Sequence, residues 1–443
     1  MRAPVAETPS IRTAHGQGFR HVKVLLLSQF YPPEANSAAQ KMSDLAQYLA
    51  DRGHQVTVVT GFPNYPDGIL HKGYRRTLFQ SHVVQGVRII RTFVSISTRR
   101  REFGPRMNSY LSFMCSSVYG AMRAGRHALV FVYSPPLMLG VSGYVISRLY
   151  RAPLVFDVND LWPKAPIQLG LLKDPILIRM AQDLERFVYA KSDRVFFYSN
   201  WMRGDVVRSG VPESKTEVHP LPVDTDVFQE VPEEQAADVR RTYGMGDRLV
   251  VMYTGNLGLP QGLGTAIECA RLLKGTNHAQ YQFVFVGGGA DRERLMRLSE
   301  SYGLDNVLFV PPQPVSAMPA FMSAADILLL HLDRAPFRAG TIPGKLLTYL
   351  SCGRSVLAGL EGEGADLVRE GECGVVVEPQ NPEAMAQGLV RLADPGLRRR
   401  MGEAGRRLAV ERFDRRKLLA KVERRLEEIA SSRGRPSVGL ETR

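Results

Sequence analysis

A chain of 443 residues is too long for one hydrophobic core and fits two domains of about 200 residues each. With 44% hydrophobic and 23% charged residues it has the make-up of a soluble globular protein. No apolar run reaches the roughly 18 residues of a membrane-spanning helix, and the first residues lack the apolar stretch of a signal peptide. Fifty-seven Lys and Arg against 44 Asp and Glu give a formal charge of +13, a field that draws polyanions: nucleic acid, anionic lipid or diphosphates. Cys115, Cys269, Cys352 and Cys373 show no metal-ligand spacing and fit buried thiols in a reducing cytoplasm, so no zinc is expected.

In chain order, Lys23 to Ser28 is an apolar run of buried-strand length. After Pro32-Pro33 a helix begins near Ala38, with Met42, Leu45 and Leu49 at helical spacing, and stops at Gly53. Gln55 to Thr60 is the next strand, completing one βαβ unit. Strands follow at 87–93, 128–133, 154–157 and 194–198, with helices at 108–125, 137–150 and 176–191. The Pro-rich stretch from His219 to Glu234 breaks the alternation and reads as a hinge. Strands resume at 249–253, 282–286, 307–310, 326–331, 355–359 and 375–378, and a charged helix over 415–429 follows.

This pattern predicts an α/β protein with two open, mostly parallel sheets. Its parts are a disordered lead-in (1–20), a first domain (21–225), a second domain (245–412), a terminal helix (413–430) placed to cross back to the first domain, and a flexible tail (431–443). Open parallel sheets bind ligands beyond the carboxyl ends of their strands. Two of them joined by a hinge put a site in the cleft between.

Several stretches carry a resemblance: FYPPEANSAAQKMSDLAQYLADRGHQVTVVT (Phe30 to Thr60), FDVNDLWP (Phe156 to Pro163), VHPLPVDTDVF (Val218 to Phe228), YTGNLGLPQGL (Tyr253 to Leu263), FVFVGGGADRERL (Phe283 to Leu295) and TIPGKLLTYLSCGRSVLAGLEGEGADLV (Thr341 to Val368). In this order they resemble glycosyltransferase family 4, of the GT-B class, and within it the bacterial polysaccharide, O-antigen and colanic-acid branch. The resemblance implies two Rossmann-like domains facing across a cleft. It also implies sugar transfer from a nucleotide-sugar donor, retention at the anomeric carbon, and no cofactor or essential metal. The donor would sit on the second domain, with UDP more common than GDP, and the acceptor on the first. Acceptors in this branch are typically polyprenyl-diphosphate-linked glycans.

A diphosphate leaving group needs positive charge, which a helix start beside a lysine supplies. Pro343, Gly344 and Lys345 form such a start; a solvated lysine on a helix face is the plainer reading. The family's acidic pair around this helix would fall at Gly340 and Thr348, and neither is acidic. Gly255, Gly287 and Gly288 follow strands where backbone meets ligand or merely turns. Asn256 and Gln261 stand where relatives carry a basic pair, and Asn36 and Ser37 where they carry a glycine pair near the diphosphate. Glu363 and Gly364 lie in a loop that relatives place near the donor sugar or ribose; Glu363 would accept from sugar hydroxyls or, as the plainer reading, simply sit favourably at a helix N-terminus. On the acceptor side, Asp160 is favoured over Asp157 to orient or deprotonate the acceptor hydroxyl, with capping of a helix before Leu161 as the plainer reading.

Arg99, Arg100, Arg101 and Arg106 precede a helix with Tyr110, Leu111, Phe113, Met114, Val118 and Tyr119. Basic residues beside such a helix suit an anionic bilayer, giving a peripheral protein on the inner face of the cytoplasmic membrane. No nucleic-acid motif is visible. A nucleotide-sugar epimerase and a non-catalytic scaffold of a polysaccharide-assembly complex are the rival functions.

Overall fold

The computed structural model describes residues 21–75, 77–99, 102–274 and 280–432. Arg100 and Arg101, the lead-in and the last residues of the tail lie outside the described residues. The first sheet has eight strands: β1 (Lys23–Leu27), β2 (Gln55–Gly61), β3 (Phe79–Val84), β4 (Val87–Thr92), β5 (Leu129–Ser134), β6 (Leu154–Val158), β7 (Arg194–Phe197) and β8 (Thr216–Val218). Their order is β3-β4-β2-β1-β5-β6-β7-β8, parallel except for the β3–β4 hairpin. The second has β9 (Leu249–Thr254), β10 (Tyr281–Val286), β11 (Val307–Val310), β12 (Ile327–His331), β13 (Ser355–Gly359) and β14 (Gly374–Val377), all parallel in the order β11-β10-β9-β12-β13-β14.

Helices cover both faces of each sheet. The first domain carries α1 (Ser37–Asp51), α2 (Phe103–Ala124), α3 (Leu139–Tyr150), α4 (Lys164–Gln168), α5 (Pro175–Lys191) and α6 (Asn200–Arg208). Then come α7 (Glu233–Thr242), α8 (Gly264–Lys274), α9 (Arg292–Ser301), α10 (Met318–Ala324), α11 (Gly344–Ser351), α12 (Glu363–Glu370), α13 (Pro382–Arg391), α14 (Pro395–Leu408) and α15 (Arg415–Ser432). Central strands such as β5 and β13 are buried throughout, which is why they read as unbroken apolar runs.

In the first sheet the chain runs from β1 out to β2 and β4, then returns to β5 on the other side of β1. The second sheet repeats this with β9 and β12. Each reversal opens a crevice at the carboxyl ends of the two central strands.

Several elements depart from the sequence reading, among them the short β8, α4 and α6, which it did not include. Strand β3 was not anticipated, because as an edge strand it is mostly exposed on both faces and shows no apolar alternation. Helix α7, also not anticipated, starts at the end of the expected hinge (219–234) and packs on α10 of the second domain. Helix α2 begins at Phe103 rather than Asn108, carried by a first turn with little apolar content.

The domains are joined twice. The segment after β8 and the segment before α15 run side by side: Val223 N–H donates to Phe413 O at 2.9 Å, and Arg415 N–H to Val223 O at 2.9 Å. Helix α15 then lies on the first domain, where Leu419, Leu426 and Ile429 join Val24, Leu45 and Leu49 in one apolar cluster. At its middle Glu423, almost fully buried, accepts hydrogen bonds from Tyr48 Oη (3.2 Å), Arg52 Nε (3.3 Å) and His54 Nε2 (3.0 Å). His54 Nδ1 accepts from Val22 N–H at 3.0 Å, which leaves the proton of a neutral ring on Nε2. Glu423→Ala removes the acceptor shared by Tyr48, Arg52 and His54, leaving only Glu427 at 3.6 Å from His54 Nε2, and should destabilise the first domain by about 2 kcal/mol. Equilibrium urea unfolding measures this, and an unchanged midpoint would remove the helix clamp from the stability of the fold.

Candidate active site

At the carboxyl ends of β9 and β10 two glycine loops lock together. Gly255 N–H donates to Val286 O at 2.8 Å, and Leu257 N–H to Gly288 O at 2.7 Å. The approach is so close that a Cβ at position 287 would collide with the Gly255 carbonyl. At φ +116° Gly255 also leaves room for Lys345: a Cβ there would lie 2.7 Å from Lys345 Cε. The spacing of glycines in sequence thus corresponds to one packed lysine.

Lys345 sits in the first turn of α11, whose opening amides have no acceptor within the helix. Its ammonium lies 4.1 Å from the centre of the Tyr253 ring and donates to Tyr253 Oη. Among the described residues no carboxylate pairs with it, and burial lowers its pKa from 10.5 to about 8. Gly344, the residue before it, borders open space. Arg338, half-buried, lines a neighbouring recess with Asp333 and Glu361 and donates to the carbonyls of Pro260 (3.0 Å) and Asp333 (2.5 Å). Lys345 itself is a partly dry cation at an open helix start, which suits an anion.

The structure brings Gly255, Asn256, Gly287, Gly288, Pro343, Gly344 and Lys345 to this one end of the second sheet. Gln261 is nearby but turned to the backbone: its side-chain oxygen accepts from Gly258 N–H at 3.1 Å. Its carbonyl takes the Nδ1 proton of buried His331 at 2.7 Å, while His331 Nε2 accepts from Gln380 N–H at 3.0 Å. Gly364 packs beside Pro343.

Glu363 serves a helix start, but that of the other domain. Its carboxylate reaches across the cleft and accepts from the N–H groups of Asn200 (2.9 Å) and Trp201 (2.8 Å) at the start of α6. A carboxylate is favoured at a helix N-terminus, and that attraction turns Glu363 from sugar contact to domain bridge in this conformation. Trp201 makes the second bridge, its indole filling the place that a side chain at Gly340 would take.

In the first domain Asn36 caps α1, its oxygen accepting from Ala39 N–H at 2.9 Å, while its side-chain N–H₂ is buried without a partner. Ser37 is the exposed first residue of that helix. Asp157 is buried and held by Lys41 Nζ and Asn159 Nδ2, both at 2.8 Å. Asp160 instead borders a cavity of about 200 Å³, shared with Arg106 and Tyr110 of α2. The carboxylate reaches the cleft, yet the walls around it strip enough water to raise its pKa, offset in part by the Leu161 N–H. The geometry thus separates the two aspartates: Asp157 is neutralised by a lysine and Asp160 is available.

Sequence reasoning did not find Lys41, Arg338, Tyr253 or Trp201. No local pattern marks them, because each gains its position from a strand or loop distant in sequence. Of the basic segment, Arg99 is exposed and only loosely paired with Glu102 at 3.8 Å, and Arg106 turns to the cavity. On α2, Leu111 and Tyr119 are exposed, but Phe113 is fully buried in the core and offers nothing to a membrane.

Residues 38–222 match the family of glycosyl transferase 4-like domains and residues 237–408 that of glycosyl transferases group 1. The chain is 25% identical to a putative colanic acid biosynthesis glycosyl transferase of Escherichia coli over 83% of its own length and 91% of that protein. It is 27% identical to a GDP-mannose-dependent alpha-(1-6)-phosphatidylinositol monomannoside mannosyltransferase of Mycolicibacterium smegmatis, over 66% of this chain and 82% of that one. The crystal structure of HepE of Anabaena in complex with UDP superposes with a TM-score of 0.68 at 18% identity, covering 92% of this chain and all of that one. Two parallel α/β domains with facing strand ends, matched in both halves, place the chain in the GT-B class: it is a glycosyltransferase and belongs to family 4.

Proposed function

We propose that the protein moves a sugar from a nucleotide-sugar donor held by the second domain to a hydroxyl of a lipid-linked glycan, with retention and without a resident metal, in cell-envelope polysaccharide assembly. The observation that carries this reading is Lys345, a partly dry cation without a carboxylate at an open helix start. As the bond from the anomeric carbon to the diphosphate breaks, negative charge grows on the leaving oxygen. In this reading Lys345 and the first amides of α11 stabilise it. The acceptor oxygen bonds to the anomeric carbon, and its proton passes to Asp160 or to the departing phosphate.

The UDP in the Anabaena neighbour supports a UDP-sugar, and the GDP-mannose of the mycobacterial relative supports the other base. The named role of the Escherichia coli relative supports a polysaccharide product. No described helix is long and apolar enough to cross a membrane. Peripheral binding to the inner face of the cytoplasmic membrane is supported by Arg99 and by the exposed Phe103, Leu111, Tyr119 and Met122 of α2.

A thermal-shift panel of UDP, GDP, ADP and their sugars identifies the base, since a ligand of the folded state raises its stability. Lys345→Ala should slow acceptor-dependent release of nucleoside diphosphate by about 10²- to 10³-fold; turnover at the wild-type rate rules out the diphosphate assignment. Asp160→Asn should lower kcat about 10²-fold with the donor KM unchanged. A wild-type protein that binds donor but releases none in the presence of lipid-linked acceptor favours the scaffold reading.

Because burial holds Lys345 at about 8, it is charged below that pH and neutral above it. Affinity for the nucleoside diphosphate should therefore be full at pH 7 and fall by up to about tenfold per pH unit above 8. Lys345→Arg, charged throughout, should flatten the profile. Calorimetric titration from pH 7 to about 9.5 tests this, and a wild-type profile as flat as that of the arginine variant refutes it.

A further inference from the structure

The cavity beside Asp160 is walled mainly by apolar groups, among them Pro136, Trp162, Ala165, Leu169 and Leu171. Its charged lining groups are Asp160 and Arg106, and among the described residues no carboxylate forms an ion pair with Arg106. Leu169 and Leu171 are also 52% and 62% exposed, so the rim of the cavity is at the same time outer surface.

From that rim, apolar surface continues along α5. Ile176, Met180 and Phe187 fall on one stripe of the helix and all face outward, while Ala181, Val188 and Tyr189 supply the buried side. Ile176 is 71% exposed and Met180 62%, more than folding requires of a helix that already has an inward face. The neighbouring α3 adds exposed Val145 and Leu149. Neither α2 nor α3 contains an acidic residue, and Lys173, Arg179 and Arg148 border the patch. The acidic residues on the outer side of α5 are engaged: Asp174 caps the helix and Asp183 pairs with Arg186.

An apolar edge ringed by cations suits an anionic bilayer surface, and a cavity opening at that edge with a cation inside suits an apolar chain ending in phosphate. We propose that the cavity receives the chain segment next to the phosphate of a lipid phosphate, with Arg106 against the phosphate. The α5 edge seats on the anionic leaflet from which that lipid is drawn. This rests on the lipid-linked acceptor reading and adds the route by which the lipid reaches Asp160.

The full chain, with saturating UDP to occupy the donor site, is titrated with farnesyl phosphate, with dodecyl phosphate below its micellar concentration, and with inorganic phosphate. Thermal unfolding gives the readout. A rise in Tm with farnesyl phosphate alone marks an isoprenoid site, and a rise with both chain-bearing phosphates marks a general lipid-phosphate site; inorganic phosphate should give none. Leu171→Asp, at an exposed position that should tolerate it, and Arg106→Glu should each weaken binding by about tenfold or more. Ile176→Glu/Met180→Glu should no longer float with phosphatidylglycerol-containing vesicles, yet should still bind farnesyl phosphate in solution.

The proposal is overturned if neither chain-bearing phosphate shifts Tm, if Leu171→Asp binds like wild type, or if the double variant floats like wild type. The UDP response is scored separately. Its absence counts against UDP as the base, and the lipid-phosphate response is read in either case.

Discussion

The double crossing between the domains is the constraint on which the rest depends. Parallel sheets expose their useful ends in one direction, so a cleft site requires the two sheets to face each other. A single linker would leave that relation free. Here the outgoing and returning chains pair at Val223, Phe413 and Arg415, and α15 then anchors the return on the first domain through Glu423. The hinge becomes a two-stranded strap rather than a tether, which limits the motions by which Lys345 and Asp160 approach one another.

Within the cleft, the two halves differ in electrostatic design. The donor side sets Lys345 in a partly dry place with no carboxylate paired to it among the described residues, and α11 adds its own amides. The acceptor side balances Asp157 with Lys41 and leaves Asp160 unpaired by any described cation. In the proposed reaction a donor diphosphate would complete the first half, its negative charge compensating what burial costs Lys345, so that binding and proton uptake would be linked on one residue.

Much of the fold was legible because buried parallel strands are compact apolar runs, as in KVLLL and LVFVYS. The edge strand β3 was not, since its residues answer to solvent rather than to a core. At the site, Lys345 could be found because helix start, proline and lysine are contiguous in sequence. Lys41 and Arg338 could not, because their meaning depends on strand ends more than 60 residues away. Glu363 was placed in the right region, but its partner in this conformation, the start of α6, was not foreseen. Sequence fixes its position at a helix start but is silent on which domain its carboxylate faces.

Gly340 and Trp201 belong to different domains and yet share one volume. At 340 this chain has a glycine, and the other domain supplies the bulk. The two positions are therefore not free to vary separately: a side chain at 340 calls for a smaller residue at 201, and one introduced alone would hold the domains apart. At this point one domain can change only as far as the other makes room.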